Sequence, residues 1–429
     1  MNRRNITSFI LLTSILTLVR IFLIWSAQPK QASSTVPDSL EYLQLSEQVM
    51  SAYSLTSSTL PYLSLRRTPI YPFFLSLFKG KNELIAVLTA QQLLVFLISL
   101  STYFLARRLF DARISFIAGL LIMVEPAIFV ESLMLLTETL FTAIFLLSVL
   151  TFAVGQKNQS YTASLGSGIL LGLACLVRPG GQVVGFLLVL YSLAQIVQRR
   201  GIHGALPALG YLLVIVPWAV RNYFNFGVMS ISSIDSHNLH LFEGAGAEAT
   251  ARSINLDEVH KIETNQLIKE LGENYSLADE QKYRIVRGFQ LIFQYPLGFL
   301  VMHMKGIFQI LLGPCRGELV LFLSDGQRVQ PSSNVEKAAI MLSTTLTLLI
   351  FIFAIIGMGD LIKQSKFLVL VFFVLLFASS GYQAYGRFRA PLAPIMCIAA
   401  ASGILQIYSL IRKKRLPWQS IKGTRISLR

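Results

Sequence analysis

The chain alternates long apolar runs with short cationic or aromatic breaks, a pattern on the scale of membrane-crossing helices and without the two-residue period of strands. Apolar runs occupy residues 6–25, 84–105, 114–130, 133–154, 161–177, 183–197 and 205–220, and then 338–358, 367–382 and 391–411. In lipid every backbone polar group must pair internally, and the runs are continuous, so spanning helices are expected and a barrel is not. The fold class expected is all-α and polytopic, with about ten transmembrane helices.

Charge at the run ends sets the expected orientation. Arg3/Arg4, Arg107/Arg108/Arg113, Lys157, Arg199/Arg200, Lys363/Lys366 and the tail Arg412-Lys413-Lys414-Arg415 fall on one side, which the positive-inside rule makes cytoplasmic. Both termini then lie there, and the first run reads as a retained signal anchor. The chain divides into an N-terminal membrane module (1–220, with a first outer loop at 27–83), an outer region (221–337) and a C-terminal membrane module with a basic tail (338–429). Within the outer region, Asn255 with Glu258 and Ser276 with Asp279 mark the starts of amphipathic surface helices. Residues 297–312 are apolar but short and carry His303, Lys305 and Gln309. A crossing there would place the basic tail outside, so an interfacial or re-entrant helix is expected.

Composition agrees with this picture: 54% hydrophobic and 14% charged, with a mean hydropathy of +0.60, too apolar for an ordinary soluble protein. The net charge of +15 on such a background points to lipid headgroups and phosphates and away from nucleic acid. The cysteines, Cys175, Cys315 and Cys397, are far apart and define neither a disulfide framework nor a zinc cluster. No internal repeat is visible, which gives no support to the inverted-repeat plan of many transporters.

The expected topology delivers Asp38, Glu41, Arg66, Arg67, Tyr71, Glu125, Glu131, Arg178, Arg221, Asn222, His237, Arg387 and Arg389 to the outer face, with Glu138 one to two turns inside a span. Arginines on that side run against the positive-inside bias and need a local reason. Sugar transfer from a lipid phosphate supplies one. The attacking hydroxyl must lose a proton to a carboxylate, and the departing phosphate needs arginine forks or a metal.

Several stretches then carry a resemblance. Asp38 with Tyr42, Arg67-Thr68-Pro69-Ile70-Tyr71-Pro72, Leu136-Thr137-Glu138-Thr139-Leu140-Phe141 and Arg178-Pro179 are followed by Pro217-Trp218-Ala219-Val220-Arg221-Asn222-Tyr223 and Tyr385-Gly386-Arg387-Phe388-Arg389-Ala390-Pro391. Together, in that order, they resemble the GT-C glycosyltransferases of the protein O-mannosyltransferase and aminoarabinose transferase superfamily. The resemblance implies an inverting transferase using a polyprenyl-phosphate sugar on the extracytoplasmic face, with Asp38 as the acid of the first outer loop. The mannosyltransferases have an acidic pair there, whereas Ser39 follows Asp38 in this chain; Glu41 or Glu138 is the candidate second acid. Arg67, Arg178, Arg221, Arg387 and Arg389 are the candidate ligands of the donor phosphate, and Tyr42, Tyr71 and Asn222 the candidate pocket residues. The expected partners are the lipid donor, the bilayer, and a lipid, polysaccharide or protein acceptor; no nucleic acid is expected. No cofactor is assigned, with a divalent cation left open, and the expected location is a bacterial plasma membrane with the site facing the periplasm or exterior.

Plainer readings stand beside these. Asp38 is equally suited to cap a helix beginning at Ser39, Glu41 to be a solvated helix residue, Glu138 to pair structurally with an interior arginine, and each arginine to mark a helix end. Arg20, deep in the first run, is expected to snorkel, and Gln91 and Gln92 to hydrogen-bond between helices. His237 and His303 form a weak metal-ligand signal. A lipid-linked sugar flippase or transporter, a glycan ligase or polymerase, and a non-catalytic scaffold are the competing function classes.

Overall fold

The computed structural model describes residues 3–52, 61–80, 82–198 and 202–415. The described residues are helical with no strand. The first half contains α1 (Arg3–Ala27), α2 (Pro37–Ala52), α3 (Pro61–Arg66), α4 (Ile70–Ser76), α5 (Glu83–Leu109), α6 (Ala112–Val124), α7 (Pro126–Glu131), α8 (Glu138–Asn158), α9 (Tyr161–Val177) and α10 (Gln182–Val197). The second half contains α11 (Leu206–Phe226), α12 (Ile234–Asn238), α13 (Ala245–Arg252), α14 (Leu256–Leu271), α15 (Leu277–Gln294), α16 (Pro296–Leu312), α17 (Arg316–Leu323), α18 (Asn334–Gln364), α19 (Lys366–Ser379) and α20 (Ala393–Arg415).

All ten expected runs are helical, but they do not all have the expected length. Among the described residues six helices are long and apolar enough to cross a membrane by themselves, and α6, α9 and α19 are apolar but shorter. The chain is a multi-pass membrane protein. Arg107 and Arg108 at the end of α5 and Lys157 at the end of α8 line one shared crevice, as a common cationic face requires. Arg199, Arg200 and the chain beyond Arg415 lie outside the described residues.

Of the boundaries that differ from expectation, three bear on the site. The run expected to continue to Val130 stops at Val124, because the Glu125 carboxylate caps the next helix by accepting from Ile128 N at 2.7 Å. The run expected from Leu133 begins at Glu138 instead. Between them, residues 132–137 are irregular and buried, a state tolerated at such depth only with partners from neighbouring protein. Gln91 and Gln92 provide them: Gln91 Nε2 donates to the carbonyls of Ser132 (3.0 Å) and Met134 (2.9 Å), and Gln92 Nε2 to Ser132 O (3.0 Å). Arg20 also serves this break and does not snorkel; it donates to Met123 O at 3.1 Å and Ser132 Oγ at 2.8 Å and lies over the Phe129 ring. Finally, α11 runs past the expected end at Val220 to Phe226, so Arg221 and Asn222 belong to its last turns and not to a loop.

Small residues let the spans approach closely. A Cβ on Gly168 of α9 would fall 1.9 Å from Pro207 O of α11, and one on Gly357 of α18 would fall 1.9 Å from Ala399 O of α20.

In the outer region the two sequence-read starts are caps: Asn255 accepts from Asp257 N, and Ser276 with Asp279 closes a reciprocal capping box at the head of α15. The axes of α15 and α16 are bent by 96°. On α16, Leu297, Leu300, Val301, Met304 and Phe308 are exposed on one face, while Gly298, Met302, His303, Gly306 and Ile310 are buried on the other. An apolar stripe facing away from the protein on a sharply bent helix suits an element lying in the interface.

Candidate functional site

Asp38 sits in the first turn of α2, where the helix end leaves its side chain free to point away; the cap role falls elsewhere, with Val36 N donating to Ser39 Oγ at 3.1 Å. Each carboxylate oxygen of Asp38 takes one arginine. Arg67 Nη2 donates to Oδ1 at 2.7 Å and Arg387 Nη2 to Oδ2 at 3.2 Å. Arg67 also donates through Nε to Glu41 Oε2 at 2.5 Å and through Nη1 to Tyr42 Oη at 3.3 Å. Arg387 reaches Glu138 Oε1 through Nε at 3.4 Å, and the same oxygen accepts from Arg178.

These contacts form a chain of alternating sign, Glu41, Arg67, Asp38, Arg387, Glu138, Arg178, drawn from α2, the α3–α4 corner, the 3₁₀ turn at Gly386–Arg389, and the outer ends of α8 and α9. Aromatic faces hold the cations in place: Arg67 lies 4.9 Å from the Tyr42 centroid, and Phe388 receives Arg178 at 4.8 Å and Arg387 at 5.0 Å. Burial alone would raise the Asp38 pKa, but the Arg67 and Arg387 guanidiniums outweigh it and hold the carboxyl at about 2. Burial lowers the Arg67 and Arg387 pKa values, but their surroundings push both upward, Tyr42, Asp38 and Glu41 at Arg67 and Glu138, Tyr385 and Asp38 at Arg387.

The chain of charges lines a cavity of about 540 Å³, whose wall includes Asp38, Tyr42, Arg66, Arg67, Glu138, Arg178, Arg387 and Phe388. The cavity is completed by residues the sequence did not single out. Asp235, on α12, projects into it with an exposed side chain, and its Oδ2 accepts from Gln182 Nε2 at 2.7 Å. With no cation beside it, its carboxyl is pushed up to about 6 by the partial loss of water on the cavity wall, against the Gln182 hydrogen bond, which lowers it. His237, two residues on, is pushed down by burial, with Arg66 and Arg284 adding to the effect, to about 3. Its imidazole is therefore neutral near pH 7. A π-helical turn at Leu239–Gly244 then brings Glu243 to the cavity, an irregularity that often re-aims a side chain at a functional site.

Glu243 is fixed from behind. His303 Nε2 lies 2.8 Å from Glu243 Oε2, and His303 Nδ1 lies 2.7 Å from Ser380 Oγ. Gly381, at φ +154°, passes beneath the carboxylate, and a Cβ there would fall 2.4 Å from Glu243 Oε1. Gly381→Ala is expected to displace Glu243 and lower activity at least about tenfold with a smaller change in thermal stability, since the strain is local. Activity and unfolding temperature measured on one preparation check this.

Other candidates lie away from the cavity wall. Arg389 is buried: Nε donates to Glu125 Oε1 at 2.7 Å, Nη1 to the carbonyls of Ile310 (2.9 Å) and Gly313 (2.7 Å), and Nη2 to Thr347 Oγ1 at 3.2 Å. That geometry closes the C-terminal end of α16 and leaves no donor group directed at a donor phosphate. Arg221 donates to Asn222 Oδ1 at 2.6 Å and to Ser64 O at 3.4 Å and lies over Trp218 and Phe226. Asn222, fully buried, donates to Ser230 O at 2.7 Å. The pair fastens α11 to the loop leading to α12. Tyr71 is buried beneath Tyr42, edge to face with centroids 5.1 Å apart, and supports the pocket without lining it. Glu41 reaches the site through Arg67 and through Arg66, whose Nη1 lies 3.6 Å from Glu41 Oε1. Glu125 and Glu131 are buried, and both Glu131 carboxylate oxygens lack a hydrogen-bond partner. Among the described residues no three His, Cys, Asp or Glu side chains are grouped to hold a metal ion; His303 is committed to Glu243 and Ser380, and the three cysteines are buried and unbridged.

The helical bundle has known counterparts. Residues 67–223 match the family described as dolichyl-phosphate-mannose-protein mannosyltransferase. The apo oligosaccharyltransferase of Archaeoglobus fulgidus superposes with a TM-score of 0.52 at 13% identity, covering 99% of this chain and 52% of that one. The same archaeon's oligosaccharyltransferase AglB, in complex with an inhibitory peptide and a dolichol-phosphate, gives 0.51 at 13% identity with the same coverage. ArnT from Cupriavidus metallidurans, bound to undecaprenyl phosphate, gives 0.40 at 15% identity, over 91% of this chain and 76% of that one. No curated protein sequence matches. The chain spans about half the length of the oligosaccharyltransferases it superposes on. Its fold is that of the GT-C membrane glycosyltransferases.

Proposed function

We propose that the chain is an integral-membrane inverting glycosyltransferase that moves a sugar from a polyprenyl-phosphate donor to an acceptor on the extracytoplasmic face, in a bacterial plasma membrane with the cavity open to the periplasm or exterior. The observation that carries this reading is Asp38 held between Arg67 and Arg387 on the wall of an outer-end cavity. The mannosyltransferase match over residues 67–223 and the dolichol-phosphate complex of a protein with the same fold support the choice of donor class.

The charges suggest how the site works. The site's arginines are shared among Asp38, Glu41 and Glu138. A donor phosphate competes for Arg67, Arg178 and Arg387, because guanidinium forks match phosphate oxygens as well as carboxylate ones. As the arginines turn to the phosphate, Asp38 loses the partners that hold its pKa near 2 and becomes a better base. The acceptor hydroxyl then gives its proton to Asp38 while its oxygen forms the new bond at the anomeric carbon. The bond from that carbon to the phosphate oxygen breaks on the opposite face, and polyprenyl phosphate leaves with its charge on the arginines.

Product analysis tests the reading. Polyprenyl phosphate is expected to appear in equal amount to sugar transferred, with inverted anomeric configuration. Retained configuration, or a pyrophosphate leaving group, overturns it.

A further inference from the structure

Resting on that reading, we propose that Asp235 and Gln182 form the grip for hydroxyl groups of the donor sugar. The carboxylates on the cavity wall are not equivalent. Asp38 and Glu138 carry arginines and Glu243 carries His303, but Asp235 is held only by the Gln182 amide. Its Oδ1 accepts no hydrogen bond among the described residues, and the side chain is exposed to the cavity. A carboxylate with no counter-cation fits a neutral ligand rich in hydroxyl donors. Gln182, behind the wall, fixes one oxygen and leaves the other as an acceptor for hydroxyls on a sugar ring.

Position along the chain points to the donor sugar. Gln182 opens α10 four residues after Arg178, separated by the 3₁₀ turn Pro179–Gly181. A turn this short keeps Gln182 close to Arg178, and Arg178 and Asp235 line the same cavity, so a sugar attached to a phosphate held at Arg178 shares that cavity with Asp235. Pro179 and Gly180 themselves line the cavity between them, and no side chain larger than proline fills that interval.

The test compares two lipids on the full-length protein in nanodiscs. Undecaprenyl phosphate reports the arginine site alone, and a panel of undecaprenyl-phosphate hexoses and pentoses reports arginine site and grip together. For Asp235→Asn, affinity for bare undecaprenyl phosphate is expected to stay within about twofold of wild type. Affinity for the best sugar-bearing lipid falls about tenfold or more, the scale of a hydrogen bond to a charged group. Gln182→Ala gives a loss in the same direction, and a deoxy-sugar donor lacking the gripped hydroxyl erases the difference between wild type and variant. Equal losses for both lipids, or no loss for the sugar-bearing one, overturn the grip while leaving the transferase reading intact. A wild-type protein that binds neither lipid overturns that reading, and the grip with it.

Discussion

Asp38→Asn is expected to lower turnover by at least about a hundredfold, the lower range for removal of a general base. The reasoning joins geometry to charge. Asp38 pairs with both Arg67 and Arg387, so the donor phosphate and the acceptor proton meet around it. An asparagine keeps the size and can still accept from one guanidinium, but it cannot take a proton. Donor binding should therefore be preserved or modestly improved, because the arginines lose a competitor. A variant with normal turnover removes Asp38 from the chemistry, and one that loses donor binding in proportion to turnover makes its role that of an arginine anchor.

Arg389→Met is expected to act on folding, at a cost of about 3–5 kcal/mol, the range for breaking one side of a buried ion pair. Glu125 would be left charged without a partner, and the last carbonyls of α16 would lose their donors. Pairing it with Glu125→Gln should recover part of the loss, as removing both charges costs less than removing one. Unfolding temperature and denaturant midpoint in detergent measure both variants. Wild-type stability together with impaired donor binding would return Arg389 to the phosphate site.

Much of the arrangement is legible in the sequence, and the residues show where legibility ends. Some of the chemistry was readable: capping at Asn255 and Ser276, and the meeting of Asp38, Arg67, Glu138, Arg178 and Arg387. Gln91 and Gln92 were expected to bond between helices, but their amides serve the irregular segment at 132–137. Arginines at helix ends were harder. Arg387 and Arg389 stand two positions apart in one 3₁₀ turn, so one faces the cavity and the other the core, and no pattern in the chain says which. Arg221 and Asn222 were read as outer-loop groups because an apolar run ends before them, whereas the helix continues to Phe226. Asp235 and Glu243 escaped notice because they come from a short helix and a π turn in a polar stretch, where neither hydrophobic period nor motif marks an inward side chain. The break at Glu125 was masked by apolar residues on both sides; its signal was the Glu125-Pro126 pair, a cap followed by proline at the first helical position.

The most direct measurement is sugar transfer by the purified protein in bilayers, with a panel of radiolabelled polyprenyl-phosphate sugars, membrane extract as acceptor and Asp38→Asn as control. Label is expected to move from one donor into a new product with wild type and to stay on the lipid with the variant. Folded wild-type protein that binds or translocates the labelled lipid without ever moving the sugar, in an extract shown to contain a competent acceptor, would contradict the account.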